Sequence, residues 1–157
     1  MEQRKRLRLA GYDYSSAGWY FVTICTKEKE YLLGTVVGAD VLIGPQVQLS
    51  EFGQAVEEVI ASMPSIDKYV IMPNHVHMML KIEPDGNGPM GTSAPTGSLP
   101  NIVRYFKRSV TKSCGKNIWQ RSYHDHIIRN EEEYLKIWNY TDGNPARWTE
   151  DCYYKEV

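Results

Sequence analysis

Charge of one sign is what this sequence has little of. Its 157 residues carry 18 lysines and arginines against 19 aspartates and glutamates, a formal net charge of −1, which excludes a protein that holds polyanions by bulk positive charge alone. Cysteine is scarce: Cys25, Cys114 and Cys152, an odd number at wide spacing, form neither a disulfide framework nor a zinc ribbon and suit a reducing compartment. Long apolar runs are missing. No stretch approaches the roughly 18 residues that cross a bilayer, and the basic N-terminus (Arg4, Lys5, Arg6, Arg8) has no apolar run long enough for a signal peptide. No membrane partner and a cytoplasmic location are therefore expected. A hydrophobic content of 42% is ample for one globular domain over residues 1–157.

Strand and helix signals alternate along the chain. Tyr20 to Cys25 is a β-branched and aromatic run of strand length, and weaker extended pieces at Tyr31–Val37 and Val41–Gln48, split by Gly38-Ala39-Asp40, read as a hairpin. Phe52, Val56, Val59 and Ile60 recur at helical spacing between Ser50 and Pro64. Tyr69–Met72 and His75–Ile82 form a second hairpin about Pro73-Asn74. Residues 84–100, rich in proline and glycine, have the composition of a flexible surface loop. Within it Gly86 to Gly91 matches a dinucleotide-binding pattern, but Pro89, Pro95 and Gly97 forbid the helix such a site needs. Ile102, Val103, Phe106 and Val110 stripe a second, basic helix. Trp119–Ile128 reads as extended, and Asn130 with Glu133 three residues on opens a third helix running to about Gly143. The order predicts an α+β fold: a ferredoxin-like β-α-β-β-α-β core, an antiparallel sheet with helices on one face, with an extra hairpin and a C-terminal helix.

All four histidines fall in two H-x-H pairs, His75/His77 and His124/His126. On a strand, residues two apart share a face, so His75 and His77 can meet one cation or phosphate, or simply hydrogen-bond on a wet face opposite Val76, Met78, Leu80 and Ile82. His124 and His126, beside Asp125, Arg121 and Arg129, suit an orienting hydrogen-bond network as well as ligation. In the third helix Tyr134, Ile137, Trp138 and Thr141 form the buried stripe. Tyr140 falls roughly 110° from its centre, on a face with Glu133, Lys136 and Asn144. Gly143 and Pro145 work against helical geometry just there.

Met72-Pro73-Asn74-His75-Val76-His77 resembles the His-hydrophobic-His signature of the single-tyrosine HUH transposases. Tyr140-Thr141-Asp142-Gly143-Asn144-Pro145 resembles the Tyr-x-x-x-Asn-Pro segment of their branch associated with repetitive extragenic palindromes (REP). Gly11–Tyr14, Tyr20–Thr26, Asp67–His75, Asn117–Gln120 and Ile127–Arg129 are similar to that family in the same order, over nearly the whole chain. The resemblance implies that Tyr140 attacks a phosphodiester of single-stranded or hairpin DNA, that His75, His77 and the Asn144 amide hold Mg²⁺ or Mn²⁺, and that a 5′-phosphotyrosine allows rejoining without ATP. A monomer or a homodimer could perform it. With little chain beyond Tyr140, target recognition is expected from the domain itself.

Residues 101–129 carry a net charge of +6. Arg104, Lys107, Arg108, Lys112 and Arg121, with Arg4, Lys5 and Arg6, are the candidate phosphate contacts, against the simpler reading of a solvated helix face. Three other functions compete. An RNA-recognition-like binding module shares the element order, but its central strands carry stacking aromatics where this one carries His75 and His77. A metalloenzyme could join all four histidines on one ion. A domesticated relative could keep the fold without cleavage.

Overall fold

The structure, a computed structural model, describes residues 11–14, 16–38, 46–83 and 98–150, with the backbone alone at 149 and 150. In chain order the elements are β1 (Gly18–Cys25), β2 (Gly34–Val37), β3 (Gln46–Leu49), α1 (Glu51–Ala61), β4 (Ile66–Met72), β5 (His75–Ile82), α2 (Leu99–Cys114), β6 (His124–Ile128) and α3 (Glu131–Asp142). The main sheet has the order β4-β5-β1-β6, with every neighbouring pair antiparallel. Without the β2–β3 hairpin this is the ferredoxin-like α+β arrangement the element order predicts.

Side-chain caps open α1 and α3. The Ser50 hydroxyl accepts from Gly53 N at 3.2 Å to open α1, and Asn130 Oδ1 accepts from Glu133 N at 2.8 Å to open α3. Gly115, at φ 76°, closes α2 in the left-handed conformation that a glycine adopts without steric cost. Gly53 has a different task. A Cβ there would collide with the Leu33 carbonyl, so only glycine lets α1 lie directly on that backbone.

The sheet's two faces differ. Tyr20, Val22 and Ile24 of β1 and Val76, Met78, Leu80 and Ile82 of β5 pack with Val56, Val59 and Ile60 of α1 and Leu99, Val103 and Phe106 of α2 in one core. The opposite face is the one expected to be wet. Instead α3 crosses it: Tyr134 meets Trp19, Tyr140 meets Phe21, and Lys68 Nζ binds Asp142 Oδ1 at 2.8 Å. The two core helices, α1 and α2, therefore share one face, as the fold class predicts, and the added C-terminal helix α3 covers the other. The stripe Tyr134, Ile137, Trp138 and Thr141 faces inward as its spacing requires.

Extended structure in the 119–128 segment is narrower than its composition suggests. Trp119 makes only an isolated bridge to Thr26, and Gln120 N reaches Cys25 O at 2.9 Å. These bonds fall on the last residue of β1 and the one after it, and regular pairing alongside β1 begins only at His124, opposite Thr23. The tip of the β2–β3 hairpin, the glycine-rich segment at 86–91, most of the expected loop, and Arg4, Lys5 and Arg6 lie outside the described residues. No helix among the described residues is long and apolar enough to cross a membrane.

Candidate active site

The β4–β5 turn sets the position of the histidine pair. Pro73 O accepts from Leu33 N at 3.0 Å, and Asn74 O accepts from Thr26 N at 3.0 Å and from the Thr26 hydroxyl at 3.2 Å. The neighbouring turn holds two non-glycine residues at positive φ, Glu28 at 54° and Lys29 at 53°. Such backbone is costly and persists where surrounding contacts impose it; here Lys29 O accepts from Asn74 Nδ2 at 3.3 Å.

From that turn His75 and His77 project side by side. Their Nε2 atoms lie 3.1 Å apart, and each Nδ1 has an outer partner: Asn74 Oδ1 for His75 and Thr23 Oγ1 for His77, both at 2.8 Å. Because Asn74 presents its oxygen, His75 carries its proton on Nδ1 and leaves the Nε2 lone pair inward. The Thr23 hydroxyl can donate or accept, so His77 can point either a proton or a lone pair at its neighbour. With the lone pair inward, both rings present Nε2 to one point. A separation of 3.1 Å suits two nitrogens on one ion at about 2.1 Å each. The outer hydrogen bonds to Thr23 and Asn74 are those that orient metal-binding imidazoles.

Both rings are buried. Phe21 stacks on His77 with centroids 5.1 Å apart, Tyr140 meets His77 edge-on at 5.6 Å, and Trp148 lies 6.0 Å from His75. Tyr140 itself is 41% exposed. The chain thus touches one histidine at Tyr140 and the other at Trp148, with Asn144 midway between them in sequence. Asn144 does not share Tyr140's helical face. Helix α3 ends at Asp142, and the chain turns so that Asn144 N bonds Thr141 O and its side chain is buried, as Gly143 and Pro145 dispose it to. Asn144 Oδ1 is buried and has no hydrogen-bond partner among the described residues. Such an orphan costs about 1–3 kcal/mol, and a buried amide oxygen is the kind of donor a hard cation accepts. Among the described residues no group of three His, Cys, Asp or Glu side chains could hold a metal, so a third protein ligand there must be of another type. The donor set of two imidazoles and one amide therefore fits Mg²⁺ or Mn²⁺ with positions left for phosphate and water.

Burial pushes the His75 imidazole down to about 2, helped by the nearby His77 and Lys29, and the His77 imidazole down to about 3. Both folded values lie below the ordinary 6.5, so the unfolded chain takes up protons first. The stability held by neutral rings is then full above about pH 6.5 and is lost as pH falls toward 3, at up to about 1.4 kcal/mol per pH unit per ring. In chelator, the urea midpoint should fall between pH 7.5 and pH 5. The drop should be shallower in a His75→Gln/His77→Gln variant, and an unchanged drop would assign the acid sensitivity to other groups.

The second histidine pair stands apart. Strand β1 separates it from the first: Thr23 pairs with His77 on one side and His124 on the other. His126 Nε2 instead bonds Glu133 Oε1, and Glu133 Oε2 accepts from Arg129 N at 3.0 Å, which ties β6 to the start of α3. A single four-histidine ion site is thereby excluded. Of the basic candidates, Arg104, Lys107, Arg108 and Arg121 line one groove of about 510 Å³ between α2 and residues 117–123, while Lys112 is exposed but outside it. Lys107 is partly committed to the fold, donating to Gln120 O at 2.9 Å and Ser122 O at 3.0 Å. Thr23, Asn74, Phe21 and Trp148 escape sequence reasoning; of these only Asn74, adjacent to His75, carried a local signal, and it reads there as a turn residue.

No family model matches the chain. An uncharacterized protein of Haemophilus influenzae is 38% identical over 179 residues, spanning 98% of this chain and 94% of that protein. A putative REP-associated tyrosine transposase of the same organism is 25% identical, spanning 86% of this chain and 74% of its own length. The REP-associated tyrosine transposase of Escherichia coli is also 25% identical, over 87% and 70%. Among solved structures, a REP-associated tyrosine transposase bound to a REP hairpin shares the fold, with a TM-score of 0.55 at 22% identity over 94% of this chain and 74% of that one. With relatives of that name along most of its length and the same fold, the chain is REP-associated tyrosine transposase-like.

Proposed function

We propose that this protein cuts and rejoins single-stranded DNA beside a hairpin, with Tyr140 as the nucleophile. The observation that carries the reading is the half-exposed Tyr140 ring set against His77, whose Nε2 faces that of His75. Relatives named as REP-associated tyrosine transposases, and a structural neighbour solved with a REP hairpin, support the same substrate class. In the reaction the Tyr140 hydroxyl loses its proton and its oxygen attacks phosphorus. The bond from phosphorus to the 3′-oxygen breaks, that oxygen leaves as a 3′-hydroxyl with a proton, and the 5′-phosphate stays on tyrosine. Attack by a 3′-hydroxyl on the phosphotyrosine reverses the step, so the bond energy is kept. Mg²⁺ or Mn²⁺ held by His75, His77 and Asn144 would stabilise charge on the phosphate oxygens and favour the phenolate over a phenol of pKa about 10. Thr23 and Asn74 keep the imidazoles oriented, and burial keeps them neutral and able to ligate.

Arg104, Arg108 and Arg121 serve this reading as backbone contacts, with Lys107, Lys112 and the N-terminal Arg4, Lys5 and Arg6 as further candidates. Arg104→Ala with Arg108→Ala should weaken DNA binding across unrelated sequences. It should also lower the salt slope by roughly 0.7 for each single-strand phosphate no longer neutralised. An unchanged slope in a fluorescence-anisotropy titration would make these arginines a solvated face. The cutting reaction itself is tested by incubating the protein with end-labelled, hairpin-bearing single strands and Mn²⁺. A labelled band that survives denaturation is expected, with none on duplex DNA; its absence across a randomised hairpin library would sink the reading.

A further inference from the structure

A second cavity adjoins the tyrosine. It has a volume of about 510 Å³ and opens between β6 and the first turns of α3, with Phe21 and Ile137 as apolar walls and His126, Glu132, Glu133 and Lys136 as polar ones. Phe21 is shared with the candidate active site, since the same ring stacks on His77 and meets Tyr140 with centroids 6.3 Å apart. Whatever enters the cavity is therefore a close neighbour of the phosphate Tyr140 would attack. The wall chemistry selects what that can be. Two carboxylates against one ammonium repel a phosphate, whereas carboxylate oxygens are acceptors only and suit the amino group of a base. Glu133 is fixed in place, with one oxygen on His126 and the other on the Arg129 amide. Those two hydrogen bonds also hold its carboxyl below the ordinary range, so it stays ionised at neutral pH. Each oxygen retains a further lone pair for a ligand.

We propose that this cavity is a base-reading subsite that takes one nucleobase next to the scissile phosphate, and that the His126–Glu133 pair selects bases bearing an exocyclic amino group over thymine. The subsite rests on the reading of Tyr140 as nucleophile for its role in cutting, but not for its binding of a base. His126 is then a positioning residue, holding one carboxylate oxygen so that Glu133 presents its remaining lone pairs to the base. Phe21 and Ile137 contribute apolar walls to its ring. This gives the isolated edge pair His124/His126 a division of labour: His126 in the subsite, His124 outside it.

The test uses the full chain carrying Tyr140→Phe, so that binding is read at equilibrium. A pool of single strands with a fixed hairpin and randomised flanking nucleotides is selected on the protein and sequenced. One flanking position should be depleted of thymine by about tenfold or more, the discrimination expected of a well-made side-chain contact to a base edge. Glu133→Gln should abolish that depletion, because an amide donates as well as accepts, and it keeps the acceptor for the Arg129 amide so that α3 remains capped. Ile137→Trp, which fills the cavity, should erase the preference at the same position by a different route. A pool with no thymine-depleted position overturns the proposal, as does depletion that persists in both variants. The two readings fail separately. Base discrimination without any covalent adduct from the Tyr140 protein removes the cutting reaction and leaves the subsite, while adducts formed with no discrimination remove the subsite alone.

Discussion

Tyr140→Phe should eliminate the covalent protein–DNA adduct and leave hairpin affinity within about twofold of the parent, because the change removes one oxygen and keeps the ring that packs on Phe21 and His77. The competing nucleophiles are numerous, since the chain has 11 tyrosines, but several are chemically handicapped. The Tyr20 hydroxyl donates to Ser16 O at 2.7 Å inside a cluster with Tyr12 and Tyr14, and burial and the Tyr12 hydroxyl push its ionisation well up. Tyr134 donates to Asp67 at 2.7 Å and is pushed up to about 12 by that hydrogen bond. Tyr69 is raised by burial and by Glu57. A phenolate is hardest to form where a carboxylate already faces the hydroxyl. Among the described tyrosines, Tyr140 has its ring against His77. A gel of labelled single strands with Mn²⁺ gives the answer directly: an adduct surviving in the phenylalanine variant would move the nucleophile to another tyrosine. Mixing Tyr140→Phe with His77→Ala protein then separates the assemblies. Restored adduct requires the tyrosine of one copy to reach the histidines of another, and no restoration assigns both to one chain.

The fold was readable because its signals are local. The alternation through Val76, Met78, Leu80 and Ile82, the stripe of α2 and the Asn130–Glu133 cap each sit within a few residues, and each appears in place. The His75/His77 pair was readable for the same reason, as a period of two on a strand. What the sequence could not supply was what covers the face they share. Nothing near residue 77 announces that Phe21 lies beside it or that Thr23 takes its Nδ1, since both depend on the register of β1 against β5, 54 residues away for the Thr23–His77 contact. Asn144 shows the opposite failure. Helical periodicity assigned it to Tyr140's face, yet the glycine before it and the proline after it end the helix, so a tertiary turn and not helix geometry decides where the amide goes. His126 and Glu133, seven residues apart, also needed the β6–α3 turn before their contact could be seen.

Removing one imidazole should cost cleavage far more than it costs binding. His77→Ala takes away one inward nitrogen and leaves the His75 Nε2 and Asn144 Oδ1 with too few partners to hold a hard cation, so adduct formation should fall by on the order of 10²-fold or more. Hairpin affinity, which we assign to Arg104, Arg108 and Arg121 in the groove beside α2, should change little. Calorimetry is the independent reading. With two imidazoles and an amide, Mn²⁺ should bind the Tyr140→Phe protein weakly alone and more tightly once DNA supplies phosphate oxygens. The added His77→Ala should remove both signals. Thr23→Val refines the point, because it keeps the side chain's shape and deletes only the hydroxyl 2.8 Å from His77 Nδ1. Loss of such an outer partner typically lowers metal affinity 10- to 100-fold, so Thr23→Val should fall between the parent and His77→Ala in both Mn²⁺ affinity and cleavage. If Thr23→Val matches the parent in both, His77 is oriented by its packing against Phe21 and Tyr140 and not by the threonine; if His77→Ala cleaves at the parent rate, the histidine pair is structural and the metal has no place in the reaction.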